Sequence, residues 1–134
     1  MVGALSFPFH TIAMAVVAPA SMRYQTVGDW QVKDTTLVVT VADTGEMRSN
    51  LLVGIHEAVE ATIFLVNGGK EKDVDAFDHA WDEKRSPYEE AGNDPAASYH
   101  RAHVIATLVE RHSRFTVLVG EGQEQGDDDG RIGG

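Results

Sequence analysis

The apolar and polar positions of residues 24–42 follow the pattern of a β-hairpin. Two runs rich in Val, Thr, Tyr and Trp, residues 24–33 and 36–42, meet around Lys33, Asp34 and Thr35. Runs of this composition that are separated by a short polar turn are typical of adjacent strands. We therefore predict a small sheet in this part of the chain.

Three helices are predicted after the hairpin. Residues 51–66 are apolar almost all the way round, which is typical of a buried helix. Residues 74–84 and 94–113 have amphipathic helical patterns, and the second of these begins at an Asp-Pro pair. Residues 114–119 are predicted to form a last short strand. The predicted fold class is α+β, with a small β-sheet, the hairpin, packed on about three helices.

The two ends of the chain differ in composition from its middle. Residues 1–21 contain no Asp, Glu, Lys or Arg, and we interpret them as a leader outside the fold, which an upstream translation start would add before Met22. A cleaved secretion signal and a functional segment are the alternatives, although the basic beginning of a signal is missing. Residues 120–134 are rich in Gly, Asp, Glu and Gln, which predicts a disordered acidic tail. The expected single domain spans residues 22–119.

The charge and the absence of cysteine exclude several kinds of site. The net charge is -10 at pH 7, which argues against a nucleic-acid partner, because phosphate binding needs a surface of Lys and Arg. The chain has no cysteine, so disulfides, thiolate zinc sites and cysteine nucleophiles are excluded. The apolar leader is too short to cross a membrane, and no membrane partner is expected. A metal site would have to use His, Asp, Glu and water.

His56, Glu57 and Glu60 form a polar seam along the otherwise apolar first helix. At about 100° per residue, Glu60 falls between the other two around the helix axis. Burying an imidazole and two carboxylates without partners is costly, and a metal ion would compensate. His56 and Glu60 can bind one ion from the same face, which leaves Glu57 free to act as the general base for a water. The same H-E-x-x-E pattern is also compatible with a solvated seam or a buried His–Glu hydrogen bond.

Residues of the other two helices can complete this site. His103 and Glu110 are seven residues apart and lie on one helical face, from which they can meet the first helix. Asp78 is a candidate fourth ligand or hydrogen-bond acceptor for a ligand histidine, or a surface carboxylate. Tyr99 can hold a substrate oxygen or pack in the core. Zinc is the expected metal, and iron or manganese are alternatives because a carboxylate ligand suits them. The expected metal ligands are His56, Glu60, His103 and Asp78.

Four short motifs lie between residues 47 and 111. The chain has His56-Glu57-Ala58-Val59-Glu60-Ala61, then Phe77-Asp78, then Gly92 to Tyr99 followed by His103, and finally Ala106-Thr107 before Glu110-Arg111. These motifs resemble those of a group of small uncharacterised phage and prophage proteins. Asn93 and Ser98 depart from the Asp and Pro of the group. The resemblance implies that one motif set contains His56, Glu57, Glu60, Asp78, Tyr99, His103 and Glu110. A more distant similarity to zincin metallopeptidases rests on the first helix.

Three functional hypotheses follow. The preferred one is a zincin-like, metal-dependent hydrolase of phage or prophage origin, acting on a peptide or amide in the host cytoplasm or the virion, with Glu57 and Tyr99 as catalytic residues. The rival is a non-catalytic phage structural or host-interaction protein whose cluster is a polar network or a structural metal site. The third is a two-metal carboxylate site, which would use Glu57, Glu60, Asp78, His103 and Glu110.

Overall fold

The computed structural model describes residues 7–81 and 86–114, and in them a three-stranded sheet packs with three α-helices. The α+β fold class that the sequence predicts is confirmed. Short 3-10 turns at Pro19–Ser21 and Ala91–Asn93 belong to the connections. The elements are β1 (Thr11–Val17), β2 (Gly28–Lys33), β3 (Thr36–Ala42), α1 (Met47–Val66), α2 (Glu71–Ala80) and α3 (residues 100–114).

The predicted hairpin is formed by β2 and β3. The two strands pair antiparallel from Gly28–Val41 to Lys33–Thr36. Asp34, in the two-residue turn, has a φ of 57°, in the left-handed region that Asp adopts more readily than most residues. The turn residue Asp34 and the composition of the two strands therefore both favour this hairpin.

The first strand corrects an expectation from the sequence. β1 pairs in parallel with β3 along its whole length, and the strand order is β1-β3-β2. The interpretation of residues 1–21 as a leader outside the fold is therefore wrong for β1. One face of β1 carries Ala13, Ala15 and Val17, which are apolar like the residues of the other face. The strand therefore lacks the alternation of apolar and polar residues that marks a half-buried strand.

Helix α1 packs across one face of the sheet. The side chains of Leu37, Val39 and Val41 of β3 are fully buried, and they alternate along the strand as one face of a sheet requires. Gly54 lets the helix approach β1, since a Cβ there would stand 2.2 Å from Cε of Met14. α1 is the one described helix that is long and apolar enough to cross a membrane by length and composition alone, a property that core helices share.

The ends of the other helices differ from those predicted. α2 begins at Glu71 rather than at residue 74, and α3 begins at residue 100 rather than at 94. Asp94 still organises the approach to α3, because its Oδ1 accepts a hydrogen bond from the backbone N–H of Ala96 at 2.9 Å. The part of the predicted last strand that follows Arg114, and the predicted acidic tail, lie outside the described residues.

Candidate metal centre

Three ligand atoms from α1 and α3 converge on one buried point. Nε2 of His56 lies 3.2 Å from Oε2 of Glu60 and 3.1 Å from Nδ1 of His103, and the last two atoms are 2.8 Å apart. The three residues are only 8%, 5% and 5% exposed. Together they form a group that could hold a metal ion. The three-ligand core of the predicted site is therefore assembled in the structure.

Hydrogen bonds alone satisfy this triangle poorly. If Nε2 of His56 and Nδ1 of His103 both carried protons toward Glu60, their two N–H groups would face each other across 3.1 Å. If only one carried a proton, the lone pair of the other nitrogen would face the carboxylate. A cation removes the conflict because all three lone pairs can point at it. In a tetrahedral zinc site, ligand atoms about 2.0–2.1 Å from the ion are about 3.3–3.4 Å apart, so the three atoms, now 2.8 to 3.2 Å apart, would have to separate slightly to hold the ion.

Each imidazole also has a carboxylate on its other ring nitrogen. Oε1 of Glu110 lies 3.1 Å from Nδ1 of His56, and Oε2 of Glu90 lies 3.2 Å from Nε2 of His103. Both pairs are at ion-pair distance without full hydrogen-bond geometry. Histidines that bind metals almost always present their second nitrogen to such an acceptor, which fixes the ring and its tautomer. The arrangement therefore matches a metal centre beyond the three ligands themselves.

The electrostatics of the cluster favour a buried positive charge. Burial works against a charged His103, but the carboxylates of Glu60 and Glu90 on its two nitrogens raise its pKa to about 9. Burial likewise opposes ionisation of Glu60, yet hydrogen bonding with His103 and His56 lowers the pKa of this carboxylate below its usual range. Both shifts therefore favour a buried positive charge at this site.

Local structure explains how the ligands reach one point. His56 and Glu60 are four residues apart on α1, so they stand on the same face one turn apart. His103 lies in the first turn of α3, and the turn at Ala91–Asn93 packs flat against its ring. A Cβ on Gly92 would lie 2.5 Å from Cγ and Nδ1 of this imidazole, so only glycine allows that approach without displacement.

Glu57 lies beside the ligands, and no described residue is its hydrogen-bond or ion-pair partner. It is partly buried. Burial, followed by the nearby charge of Glu60, raises its pKa well above the usual range for a glutamate. Its Oε1 packs over Gly28 of β2, where a Cβ would come within 2.6 Å. Glu57 is thus neither a member of the ligand group nor locked to a donor.

Asp78 and Tyr99 occupy a separate polar pair rather than the ligand group. Asp78 accepts hydrogen bonds from the hydroxyls of Tyr99 and Tyr24, the latter at 3.1 Å. It is not part of the group of described residues that could hold a metal, and its role as a fourth ligand stays a prediction. Tyr99 is 3% exposed and packs against Phe64 and Phe77. Of the two roles considered for this tyrosine, the structure therefore shows core packing.

Two features of the site are not predicted by any pattern in the sequence. Glu90 lies in a loop for which no periodic pattern exists, and only the chain path brings it to His103. Gly28 looks like an ordinary strand residue, although it makes room for Glu57. Glu110 could be expected from its helical alignment with His103, but that alignment does not predict its contact with His56. The remaining histidines of the described chain, His10, His79, His100 and His112, lie outside the ligand group.

Comparisons with known proteins identify no relative of this chain. No protein-family model matches the chain, and no curated protein or solved structure is detectably similar to it.

Proposed function

We propose that this protein is a zinc-dependent hydrolase. Its ligands would be Nε2 of His56, Nδ1 of His103 and Oε2 of Glu60. Two histidines and one glutamate are a ligand set that catalytic zinc sites use, with the fourth position left for water or substrate. Zinc in such a site acts as a Lewis acid and lowers the pKa of a water.

The free carboxylate of Glu57 is the observation that carries the proposal. A purely structural site would use this residue as a ligand or tie it to a donor, and within the described residues neither occurs. A carboxylate whose pKa burial has raised is suited to take a proton near neutral pH and return it to a leaving group. Gly28 allows Glu57 to lie close to the strand beneath it. Glu57 is therefore the proposed general base.

The charges around the centre restrict the substrate. Asp29, Asp78 and Glu90 all lie near enough to raise the pKa of Glu57, so negative charge dominates this region. An anionic phosphate ester would be repelled at such a site. A neutral or cationic amide or peptide fits better, as the zincin-like helix also suggests. A phage origin and a location in the host cytoplasm or the virion remain parts of this proposal.

Exchanging Glu57 for glutamine tests the proposal. Glu57→Gln keeps the shape of the side chain but removes the base, so we expect the variant to bind zinc like the wild type. Hydrolysis of a fluorogenic peptide library should fall by about two to four orders of magnitude. Glu89→Gln is the matched control, because Glu89 is an exposed glutamate whose loss should leave both properties unchanged.

Two results would contradict the proposal. Loss of zinc from Glu57→Gln would show that this residue is a ligand. Absence of hydrolysis by the zinc-loaded wild type with peptide, amide and ester libraries would favour a structural metal site, for which the deep burial of the three ligands is the supporting observation.

A further inference from the structure

The outer edge of β1 is an unusual surface for an acidic protein. β1 lies at the end of the strand order, and no described strand pairs with its second edge. Ile12, Met14 and Val16 on the face toward α1 remain 52%, 41% and 40% exposed. The strand contains no charged residue. An open backbone edge and a row of apolar side chains therefore coincide.

Among the residues that the structure describes, β1 has none of the usual protections of an edge strand. Natural edge strands carry lysine, proline or a bulge, or are covered by another element. β1 pairs without interruption with β3 from Thr11 to Val17, so it contains no bulge. Helix α1 approaches it at Met14, through Gly54. An edge with these properties is a template for pairing with another strand.

We propose that a second copy of this chain occupies this edge, with the two β1 strands antiparallel across a two-fold axis at Met14. This pairing places Ile12 of one copy opposite Val16 of the other and Met14 opposite itself. A self-complementary patch is what a two-fold interface requires. The result is a continuous six-stranded sheet with both α1 helices on the same side. This inference does not depend on the metal centre or on hydrolysis.

The charge of the chain favours β1 as the place where two copies meet. The chain carries a net charge of -10, so two copies repel each other when most of their faces approach. β1, one of the two edges of the described sheet, contains no charged residue, so identical surfaces can meet there without opposing like charges. Leu51, one helical turn before Gly54, is also exposed and extends the apolar patch toward the partner helix. The interface is small, so we expect a dissociation constant in the micromolar range.

Sedimentation equilibrium of the full chain tests the dimer over about 1 to 200 µM. The wild type should shift from the chain mass of 14.6 kDa toward twice that value. The double variant Ile12→Lys, Val16→Lys should remain monomeric, because each lysine would face a lysine of the other copy. Leu108→Lys is the matched control, since Leu108 is an exposed apolar residue on α3 and should leave the dimer intact.

A charge-exchange experiment tests the register. The Ile12→Glu, Val16→Glu variant should also be monomeric, but an equimolar mixture with the double lysine variant should restore a mixed dimer. Introduced into the cysteine-free chain, Met14→Cys should form a disulfide-linked dimer under mild oxidation. Val17→Cys should not, because antiparallel pairing separates the two copies of this residue by about 20 Å. A monomeric wild type at 200 µM, a dimer that survives the lysine pair, or a mixture that stays monomeric would each overturn the proposal.

Discussion

Glu110 lies behind the imidazole of His56, with its Oε1 3.1 Å from Nδ1, while Nε2 of the same ring faces Glu60. Glu90 has the corresponding relationship with His103, whose Nδ1 faces Glu60. The two rings thus approach one point through different nitrogens. In a metal-bound site, a carboxylate behind each ring would favour the proton on the outer nitrogen, and the inner lone pair would then be free for the metal.

Removing the charge of either outer carboxylate should weaken zinc binding without abolishing it. We expect Glu110→Gln and Glu90→Gln each to raise the zinc dissociation constant by about 10- to 100-fold, the usual effect of losing an acceptor behind a ligand histidine. Competition with a chromophoric chelator measures the constant. Glu89→Gln, which changes the neighbouring glutamate of the same loop, is the control. Unchanged affinity in both variants would show that the carboxylates do not orient the rings.

Tyr99 should matter for stability and not for metal binding. Its hydroxyl donates to Asp78 inside the core, and Tyr99→Phe would remove a donor from a carboxylate whose pKa burial has already raised. We expect the free energy of unfolding to fall by about 1–3 kcal/mol, as measured by urea denaturation, with zinc content unchanged. Tyr88→Phe, at an exposed position, should have little effect. Normal stability combined with lost hydrolysis would instead identify Tyr99 as a catalytic residue.

Starting the chain at Met22 should destabilise the fold. This truncation removes β1, exposes the edge of β3 and uncovers the region of α1 around Gly54. We expect the melting temperature to fall by more than about 8 °C, which corresponds to more than about 1 kcal/mol for a domain of this size. Thermal denaturation followed by circular dichroism measures the change. An unaltered melting temperature would mean that β1 contributes little to the folded state.

The ligand group was predictable from the sequence because helical geometry is local. Once residues 51–66 are read as a helix, His56 and Glu60 must share a face. His103 could be added because it lies on a second helix with an inward face. The amphipathic pattern of α2, by contrast, does not say which neighbour its border residues meet. The pattern therefore does not predict that Asp78 accepts hydrogen bonds from two tyrosine hydroxyls.

Features that depend on the chain path could not be predicted in the same way. β1 lacks alternation because both of its faces are apolar, so composition indicated a leader rather than a strand. Glu90 belongs to a loop, where no period fixes the direction of a side chain. Its contact with His103 follows from the packing of the turn at Gly92 against the imidazole ring. Both are tertiary properties that a local pattern does not contain.

Metal content shows most directly whether His56, Glu60 and His103 bind zinc. The full chain, purified without chelator and dialysed against zinc, should contain about one equivalent of zinc by elemental analysis. His56→Ala, Glu60→Ala and His103→Ala should each fall well below half an equivalent, because every one of them removes a ligand from the group. His79→Ala, which changes an exposed histidine on α2, should retain the metal. Full occupancy in the His56 and His103 variants, or no zinc in the wild type, would show that these residues do not form a zinc site.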